Sequence, residues 1–412
     1  MKGFFEKEKT ILPYKSEKGV HSCASCGLYK QVSSPRMKPY GKFKKEIMVI
    51  GESPGATEDT EGKPWQGKMG KVLQHKCKRL GIDLFEDCIS VNAVNCRAVD
   101  EKGNNRPPTE YEIACCRQKI FDAIKQYKPK IIILQGVAAL SSLIGHKWRK
   151  TLGGITKWQG WTIPDREYNA WVCPTFHPSF VARQEDQNEI EVIWANDLKR
   201  AFSLINTPLP IFKNEEDCIE ISEDIEAVVS QLNNVPEGIF MAFDIETTGL
   251  KPYNKDIHKI VSISFCNNMN KAYAIPFPEK KKHLRLLKQL LENPKIGKIA
   301  ANMKFEDNWL NVMCGINPHP WRFDTMQAAH VLNNCPGITG LKFQAYVRFG
   351  VLGYDEEIEP FLKSPDSNTP NRIMELVKDK DAFRKLLIYN GIDSLLEYRL
   401  AILQMKELKI HI

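Results

Sequence analysis

Three short segments in the second half of the sequence carry carboxylates at spacings that suit metal-assisted chemistry. In "FMAFDIETTGL", Asp244 and Glu246 stand two apart at the end of an apolar run, so a strand's period of two sends both carboxylates to one face. "ANMKFEDNWL" supplies Glu306 and Asp307, and "YNGIDSLLEYRL" supplies Asp393. Hard oxygen ligands select Mg²⁺ or Mn²⁺. Two such ions roughly 4 Å apart can activate water and neutralise charge during phosphodiester hydrolysis.

The three segments resemble, in order, the motifs of the DnaQ-like 3′–5′ exonucleases, specifically the proofreading domain of family A DNA polymerases, over about residues 215–412. The resemblance implies two Mg²⁺ or Mn²⁺ ions held by carboxylates of all three motifs, namely Asp244, Glu246, Glu306 and Asp393. It also implies that Tyr389, one helical turn before the last acid, positions the attacking water. The middle motif normally has Asp where this chain has Glu, so Glu306 and Asp307 both stay open as ligands. The register favours Glu306.

A second group of candidate residues lies in the first half, beginning with the loop "GESPGATEDTEGKPWQG" that follows an apolar run. A strand that leads into a glycine-rich loop often cradles phosphate. Here the GK[ST] ending of a P-loop is missing, and the acids of the loop would repel phosphate. The later segments "SVNAVNCR" and "TFHPSFVAR" add Asn92 and His177.

These three segments resemble motif A, the uracil-binding Asn and motif B of the uracil-DNA glycosylase superfamily, closest to its iron–sulfur family 4, over about residues 20–205. Such enzymes take the target base out of the stack, so the loop is expected to hold a base rather than a phosphate. The resemblance implies that Trp65 stacks on uracil in the place usually filled by Phe and that Asn92 reads the base edge. It implies that His177 donates to the uracil carbonyl as negative charge grows on the leaving base.

The acid that would orient water or stabilise the sugar cation is left open. Family 1 enzymes keep an Asp where this chain has Ser53, and family 4 enzymes also lack it. Glu52 and Glu58 are therefore the candidate acids. Backbone amides around Gly55 can approach the substrate closely, because no Cβ intervenes. Arg183 is a candidate phosphate contact.

The chain has 12 cysteines, many for a reducing compartment in which disulfides rarely persist. Four of them follow the order and context of family 4, in "HSCASCGLY", "NAVNCRAV" and "EYEIACCRQ". The resemblance implies a [4Fe–4S] cluster on Cys23, Cys26, Cys96 and Cys116. Cys115 directly precedes the chosen ligand, and the "PT..EI..C" register favours Cys116. Four thiolates can also form a structural zinc site, so zinc remains an alternative.

Both halves alternate short β-rich runs with helical periodicity, which predicts two α/β domains. In the first half the strands are expected at "EIMVIG", "CISVNAV", "KIIILQG" and "AWVCPTF", with helices at "GKMGKVLQHKCKRLGI" and "TEYEIACCRQKIFDAIKQY". The second half is expected to begin with a three-strand meander, "GIFMAFDIE", "IVSISFCN" and "KAYAIPF", and to be mainly helical after about residue 283.

The prolines of "LINTPLPIFKNEEDCIEIS" predict a seam near Pro210, and we assign the domains to residues 1–207 and 208–412. The two resemblances imply a uracil-DNA glycosylase-like α/β/α sandwich followed by an RNase H-like, DnaQ-like exonuclease domain.

Bulk composition agrees with a folded protein that acts on a polyanion. The 412 residues carry a net charge of +8, with 58 Lys and Arg against 50 Asp and Glu. No apolar run approaches the roughly 20 residues needed to span a bilayer, so no membrane partner is expected. The start "MKGFFEKEKT" is charged where a signal peptide needs an apolar core. We therefore expect a cytoplasmic protein of a bacterial or phage-infected cell.

Together these observations predict a bifunctional DNA enzyme of phage-type replication or repair, which excises uracil and degrades DNA from 3′ ends. The rival hypothesis is an exonuclease whose glycosylase-like domain binds DNA or a modified base without cutting it. No palm, fingers or thumb segment follows the third exonuclease motif. Either a polymerase is a separate chain, or this sequence is the N-terminal part of one.

Overall fold

A computed structural model of the protein describes residues 22–148, 150–184, 188–236 and 238–410. The chain divides into two compact units, one up to Pro210 together with Val347–Gly350, and one made of Ile211–Tyr346 and the residues from Val351 onward. Each unit contains its own sheet. Within these described ranges every helix is too short or too polar to cross a bilayer.

The first unit is built on a five-stranded sheet. Its strands are β1 (Ile47–Gly51), β2 (Cys88–Asn92), β3 (Ile131–Gln135), β4 (Ile163–Asp165) and β5 (Ala170–Thr175). They are ordered β2-β1-β3-β5-β4, and all pairs are parallel except the antiparallel edge pair β4–β5. The four predicted strands are confirmed, whereas the short β4 was not predicted. The central strands are buried along their whole length, which is why they read as continuous apolar runs.

Helices connect these parallel strands. They are α1 (Ala56–Glu61), α2 (Lys68–Arg79), α3 (Glu110–Tyr127), α4 (Gly136–Lys147), α5 (Ile155–Trp158), α6 (Pro178–Ala182) and α7 (Asn188–Ser203). The predicted helices correspond to α2 and α3. Helix α3 begins with a capping box, in which the Thr109 hydroxyl accepts from the Glu112 N–H and the Glu112 carboxylate accepts from the Thr109 N–H. This start fixes the register of α3 and therefore the position of Cys116 on it.

The second unit contains a six-stranded mixed sheet. Its strands are β6 (Ile219–Ile221), β7 (Ile239–Thr247), β8 (Ile260–Asn268), β9 (Lys271–Pro276), β10 (Ile296–Ala300) and β11 (Trp321–Asp324), in the order β11-β10-β7-β8-β9-β6. The predicted meander is confirmed, because β7, β8 and β9 pair antiparallel. Strand β10 pairs parallel to β7 and β11 parallel to β10, so their carboxyl ends meet at one edge.

The helices of the second unit include a long final one. They are α8 (Ile225–Asn233), α9 (Lys281–Leu291), α10 (Met303–Cys314), α11 (Thr325–Leu332), α12 (Leu341–Phe349), α13 (Glu359–Leu362), α14 (Ile373–Val377) and α15 (Lys380–Glu407). Helix α15 packs across β7, β8 and β9. Its Gly391 allows a close approach, because a Cβ there would lie 2.5 Å from Ile219 Cγ2. The α/β class predicted for both halves is confirmed.

Candidate functional sites

The carboxylates of the first and last acidic segments converge in the second unit. Asp244 and Glu246 come from β7, and Asp393 comes from the middle of α15. One carboxylate oxygen of each lies within 4.8 Å of those of the other two. Burial, followed by the neighbouring acids, raises the pKa of Asp244 and of Glu246 well above the usual range. Three crowded carboxylates in a buried place are a donor set that fits a divalent cation.

Asp393 is also held by side chains that sequence reasoning missed. The Lys342 ammonium donates to both of its oxygens, at 2.7 Å to Oδ2, and the Tyr354 hydroxyl donates to Oδ1 at 2.6 Å. The same ammonium donates to the Tyr389 hydroxyl at 3.1 Å and lies 4.3 Å from the ring centroids of Tyr354 and Tyr389. Lys342 stood in the segment "TGLKFQAYVRFG", but its spacing from Asp393 gave no signal of this contact.

Asn390 is a further missed residue, and it orients Asp244. Its side-chain amide donates to Asp244 Oδ2 at 2.6 Å, while its own Oδ1 accepts from the Ser262 hydroxyl at 3.0 Å. Asn390 lies next to Tyr389 in the third acidic segment, so its position in the motif was the available signal.

The structure distinguishes Glu306 from Asp307 by their surroundings. Glu306 is 3% exposed in the first turn of α10, and its Oε2 has no hydrogen-bond partner in the described part of the chain. Burial and then the charge of Asp244 raise its pKa well above the usual range. Asp307 instead accepts a hydrogen bond from Trp321 Nε1 at 3.2 Å. Glu306, rather than Asp307, is therefore the acid that interacts with the charge of Asp244 and has an oxygen without a hydrogen-bond partner.

The predicted base-binding residues of the first unit line one cavity of about 500 Å³. Those in its wall are Glu52, Ser53, Gly55, Glu58, Trp65, Asn92, His177 and Arg183. They come from the loop after β1, the end of β2 and the segment after β5. Because β1 lies between β2 and β3, and β5 follows β3, the carboxyl ends of parallel strands bring these distant segments together.

Trp65 and Asn92 are packed tightly against the end of β1. A Cβ at Gly51 would lie 2.6 Å from Asn92 Oδ1 and 2.8 Å from the Trp65 ring, so only glycine allows this approach. Trp65 has a φ of 59°, a left-handed conformation that bulky residues rarely adopt. Its ring stacks on His177, with centroids 5.6 Å apart and planes at 29°. Strained backbone of this kind concentrates at functional sites.

His177 caps the start of α6 and is held as a neutral imidazole. Its Nδ1 accepts the backbone N–H of Ser179 at 3.2 Å and lies 2.7 Å from the Ser179 hydroxyl. Burial, assisted by Arg183, lowers the pKa of His177 to about 4. A neutral imidazole that accepts at Nδ1 carries its proton on Nε2. Nε2–H is therefore the donor that His177 can offer a ligand.

The two candidate acids of the loop have different environments. The Glu58 carboxylate accepts from the N–H groups of Gly55 and Gly67, at 3.1 and 2.9 Å, and so joins the two ends of the loop segment. Glu52 is half-buried; burial raises its pKa and the charge of Arg183 opposes that rise. Glu52 is thus the less constrained of the two carboxylates that face the cavity.

The four predicted cluster ligands lie in one neighbourhood. Cys26, Cys96 and Cys116 belong to a single apolar cluster beside Leu28. Burial raises the pKa of Cys116 to about 12, and the adjacent Cys26, Cys23 and Cys96 add to the rise. Among the described residues, no three cysteine sulfurs lie within 4.8 Å of one another.

Comparisons with known proteins match the two units to different families. Residues 38–199 match the uracil DNA glycosylase superfamily, and residues 217–346 match a 3′–5′ exonuclease family. The type-4 uracil-DNA glycosylase of Thermotoga maritima is 32% identical over 189 residues, covering 45% of this chain and 91% of the relative. That of Saccharolobus solfataricus is 37% identical over 165 residues, covering 39% of this chain and 72% of the relative.

A DNA polymerase of Bacillus phage SP01 is 24% identical over 360 residues. The match covers 80% of this chain but 37% of the polymerase, so it spans both units and a minor part of the relative.

Proposed function

The chain belongs to the uracil-DNA glycosylase superfamily and carries a 3′–5′ exonuclease domain, and we propose that it excises uracil from DNA and removes nucleotides from DNA 3′ ends. The observation that carries the glycosylase half is the single cavity in which Trp65, Asn92 and the neutral His177 meet. The observation that carries the nuclease half is the convergence of Asp244, Glu246 and Asp393.

In the glycosylase step, the cavity of about 500 Å³ receives the flipped base. Trp65 offers its ring for stacking, and the amide of Asn92 reads the base edge. His177 donates its Nε2–H to the uracil carbonyl, where negative charge develops as the glycosidic bond breaks. Glu52 stabilises the positive charge on the sugar or orients the water. Glu58 positions the loop, because both of its oxygens already accept backbone N–H groups.

DNA binding to the first unit also involves charge and backbone contacts. Arg183 lines the cavity and provides a cation for a phosphate next to the flipped nucleotide. The N–H groups around Gly55 lie in the same wall and can approach the substrate closely.

In the nuclease step, Asp244, Glu246 and Asp393 would hold divalent cations, and Glu306 would add its unpartnered oxygen. When bound there, two Mg²⁺ or Mn²⁺ ions would supply an activated water and stabilise charge on the phosphodiester oxygens. Tyr389 positions the attacking water. Burial and the charge of Asp393 raise the pKa of Tyr389 well above the usual range. The Tyr389 phenol therefore keeps its proton and can donate a hydrogen bond.

We also propose a [4Fe–4S] cluster on Cys23, Cys26, Cys96 and Cys116. The four thiols are near enough to influence one another electrostatically. A tetrahedral zinc site, with Zn–S bonds of about 2.3 Å, would bring its sulfurs to about 3.8 Å from one another. Iron and zinc analysis of the purified protein distinguishes the two groups. Such a cluster would join the segment that holds Cys23 and Cys26 to α3.

The match to a phage polymerase supports a role in replication-linked repair, together with a DNA polymerase in the same or another chain. A cytoplasmic location remains a prediction.

Two end-labelled duplexes, one with a single uracil, test the two activities with wild type, His177→Ala and Asp244→Ala. Excision needs no divalent ion, so it should survive EDTA while 3′ digestion disappears. His177→Ala should lose excision by about 10²–10³-fold and keep nuclease activity on the uracil-free duplex. Asp244→Ala should show the reverse. If wild type binds the uracil-containing duplex but releases no free uracil, the glycosylase-like unit is a binding module instead.

A further inference from the structure

Glu397 is a buried acid that the mechanism above does not use. It lies four residues after Asp393 on α15, so the two side chains share one face of the helix. Glu397 is 1% exposed. Its Oε1 accepts the backbone N–H of Ala301 at 3.2 Å, whereas its Oε2 has no hydrogen-bond partner within the described ranges. A buried carboxylate oxygen without a partner is costly unless a cation or proton compensates it.

The surroundings of Glu397 are acidic. Besides burial, the charges that raise its pKa are those of Asp244, Glu306 and Asp393. Ala301 directly follows β10, which pairs with the strand that carries Asp244, and α10 with Glu306 begins two residues later. Glu397 and Glu306 therefore both lie near the carboxyl end of β10, and each has an unpartnered Oε2.

We propose that Glu397 is a fifth carboxylate of the cation site, which together with Glu306 would help to hold a divalent ion there. This inference rests on the proposed two-ion function and adds a ligand to it. The Ala301 N–H fixes one oxygen of Glu397 and leaves the other without a hydrogen-bond partner, and such outer hydrogen bonds orient metal-binding carboxylates in other proteins.

Glu397→Gln separates this role from a packing role. Glutamine keeps the volume and the oxygen that accepts the Ala301 N–H, and it replaces the other oxygen by an uncharged NH₂ group that cannot bind a cation. The control is Asp381→Asn, which removes an exposed charge from the first turn of the same helix. Full-length proteins stripped with EDTA and washed are titrated with Mn²⁺, and free Mn²⁺ is counted by electron paramagnetic resonance. Melting is followed in parallel in EDTA.

We expect Glu397→Gln to bind one of two Mn²⁺ ions about tenfold more weakly or not at all, with Asp381→Asn unchanged. Its melting temperature in EDTA should equal or exceed that of wild type, because a neutral amide replaces a carboxyl group buried among other acids. Wild-type affinity for both ions would overturn the proposal. So would weaker binding accompanied by a lower melting temperature, which would assign Glu397 to packing. If wild type itself binds no Mn²⁺, the proposed two-ion function fails instead.

Discussion

The ammonium of Lys342 donates hydrogen bonds to both carboxylate oxygens of Asp393, with Nζ 2.7 Å from Oδ2. Asp393 is the acid that α15 contributes to the proposed cation site, and the same ammonium also reaches Tyr389. A positively charged side chain of the protein is therefore bound to the carboxylate that a divalent ion would need. Lys342 and the metal ion should compete for Asp393.

Replacing Lys342 by Met should tighten Mn²⁺ binding by about tenfold or more. A unit charge about 4 Å away amounts to several kcal/mol at an intermediate dielectric, and about 1.4 kcal/mol is already a factor of ten. Without metal, the variant should melt below wild type, because Asp393 loses its counter-charge. Mn²⁺ titration and melting with EDTA measure both effects. Lys385→Met, which removes an exposed lysine from α15, the helix that carries Asp393, is the control. Unchanged or weaker Mn²⁺ binding would refute the competition.

Glu306→Gln should reduce 3′ digestion by about 10–100-fold, while Asp307→Asn should leave it near the wild-type rate. Glu306 has the unpartnered oxygen beside Asp244, whereas the oxygen that Asp307 offers to Trp321 is kept by asparagine. Initial rates on an end-labelled, uracil-free duplex in saturating Mg²⁺ give the comparison. A larger loss for Asp307→Asn would show that the assumed register of this motif is wrong by one.

Glu52→Gln and Glu58→Gln should have different effects, the first on the rate of uracil excision and the second on stability. Glu52→Gln should slow uracil excision at unchanged thermal stability, because a facing carboxylate is neutralised. Glu58→Gln should destabilise the first unit by about 1–3 kcal/mol, because an amide NH₂ then faces the N–H of Gly55 or Gly67. Single-turnover excision rates and thermal melts distinguish them. The opposite result would be a loss of stability in Glu52→Gln and slower excision by a stable Glu58→Gln. It would assign the loop-positioning role to Glu52 and the catalytic role to Glu58.

Cys116→Ser should remove the visible absorption of anaerobically purified protein and most of its iron, whereas Cys115→Ser should retain both. Cys116 lies in the apolar cluster that contains Cys26 and Cys96, whereas Cys115 does not belong to that cluster. Iron and zinc analysis alongside the spectrum makes the measurement. Stoichiometric zinc without iron in wild type would replace the iron–sulfur proposal by a zinc site.

Acidification should destabilise the first unit through His177. Its pKa is about 4 when folded and about 6.5 when unfolded, so the unfolded chain binds more protons between these values. The stability is therefore complete above about pH 6.5 and falls as pH decreases, by up to about 2 kcal/mol at pH 5. His177→Asn keeps a capping acceptor for α6 and does not titrate. Hydrogen exchange in β3 should show a smaller loss from pH 7 to 5 in this variant; an equal loss would contradict the assignment.

The sequence alone determined the features that depend on local backbone periods. Asp244 and Glu246 share a face because side chains on a strand alternate, and Tyr389 precedes Asp393 by a helical turn. Four strands of the first sheet and the meander β7–β9 of the second were predicted because they have clear apolar patterns between turn signals, whereas β6, β10 and β11 were not predicted. The cysteines and the base-pocket residues were identified by their order and context along the chain.

Tertiary packing decided what no local pattern records. Lys342 meets Asp393 across 51 residues, and Glu397 meets Ala301 across 96, because α12 and β10 are brought against α15 by the packing of the second unit. Whether Glu58 faces a substrate or the N–H groups of Gly55 and Gly67 likewise depends on how the loop closes. Hydrogen-bond partners and uncompensated charges depend on the folded tertiary structure. Residue types and spacing therefore identify the candidate acids, but they do not determine which carboxylate oxygen remains available to a ligand.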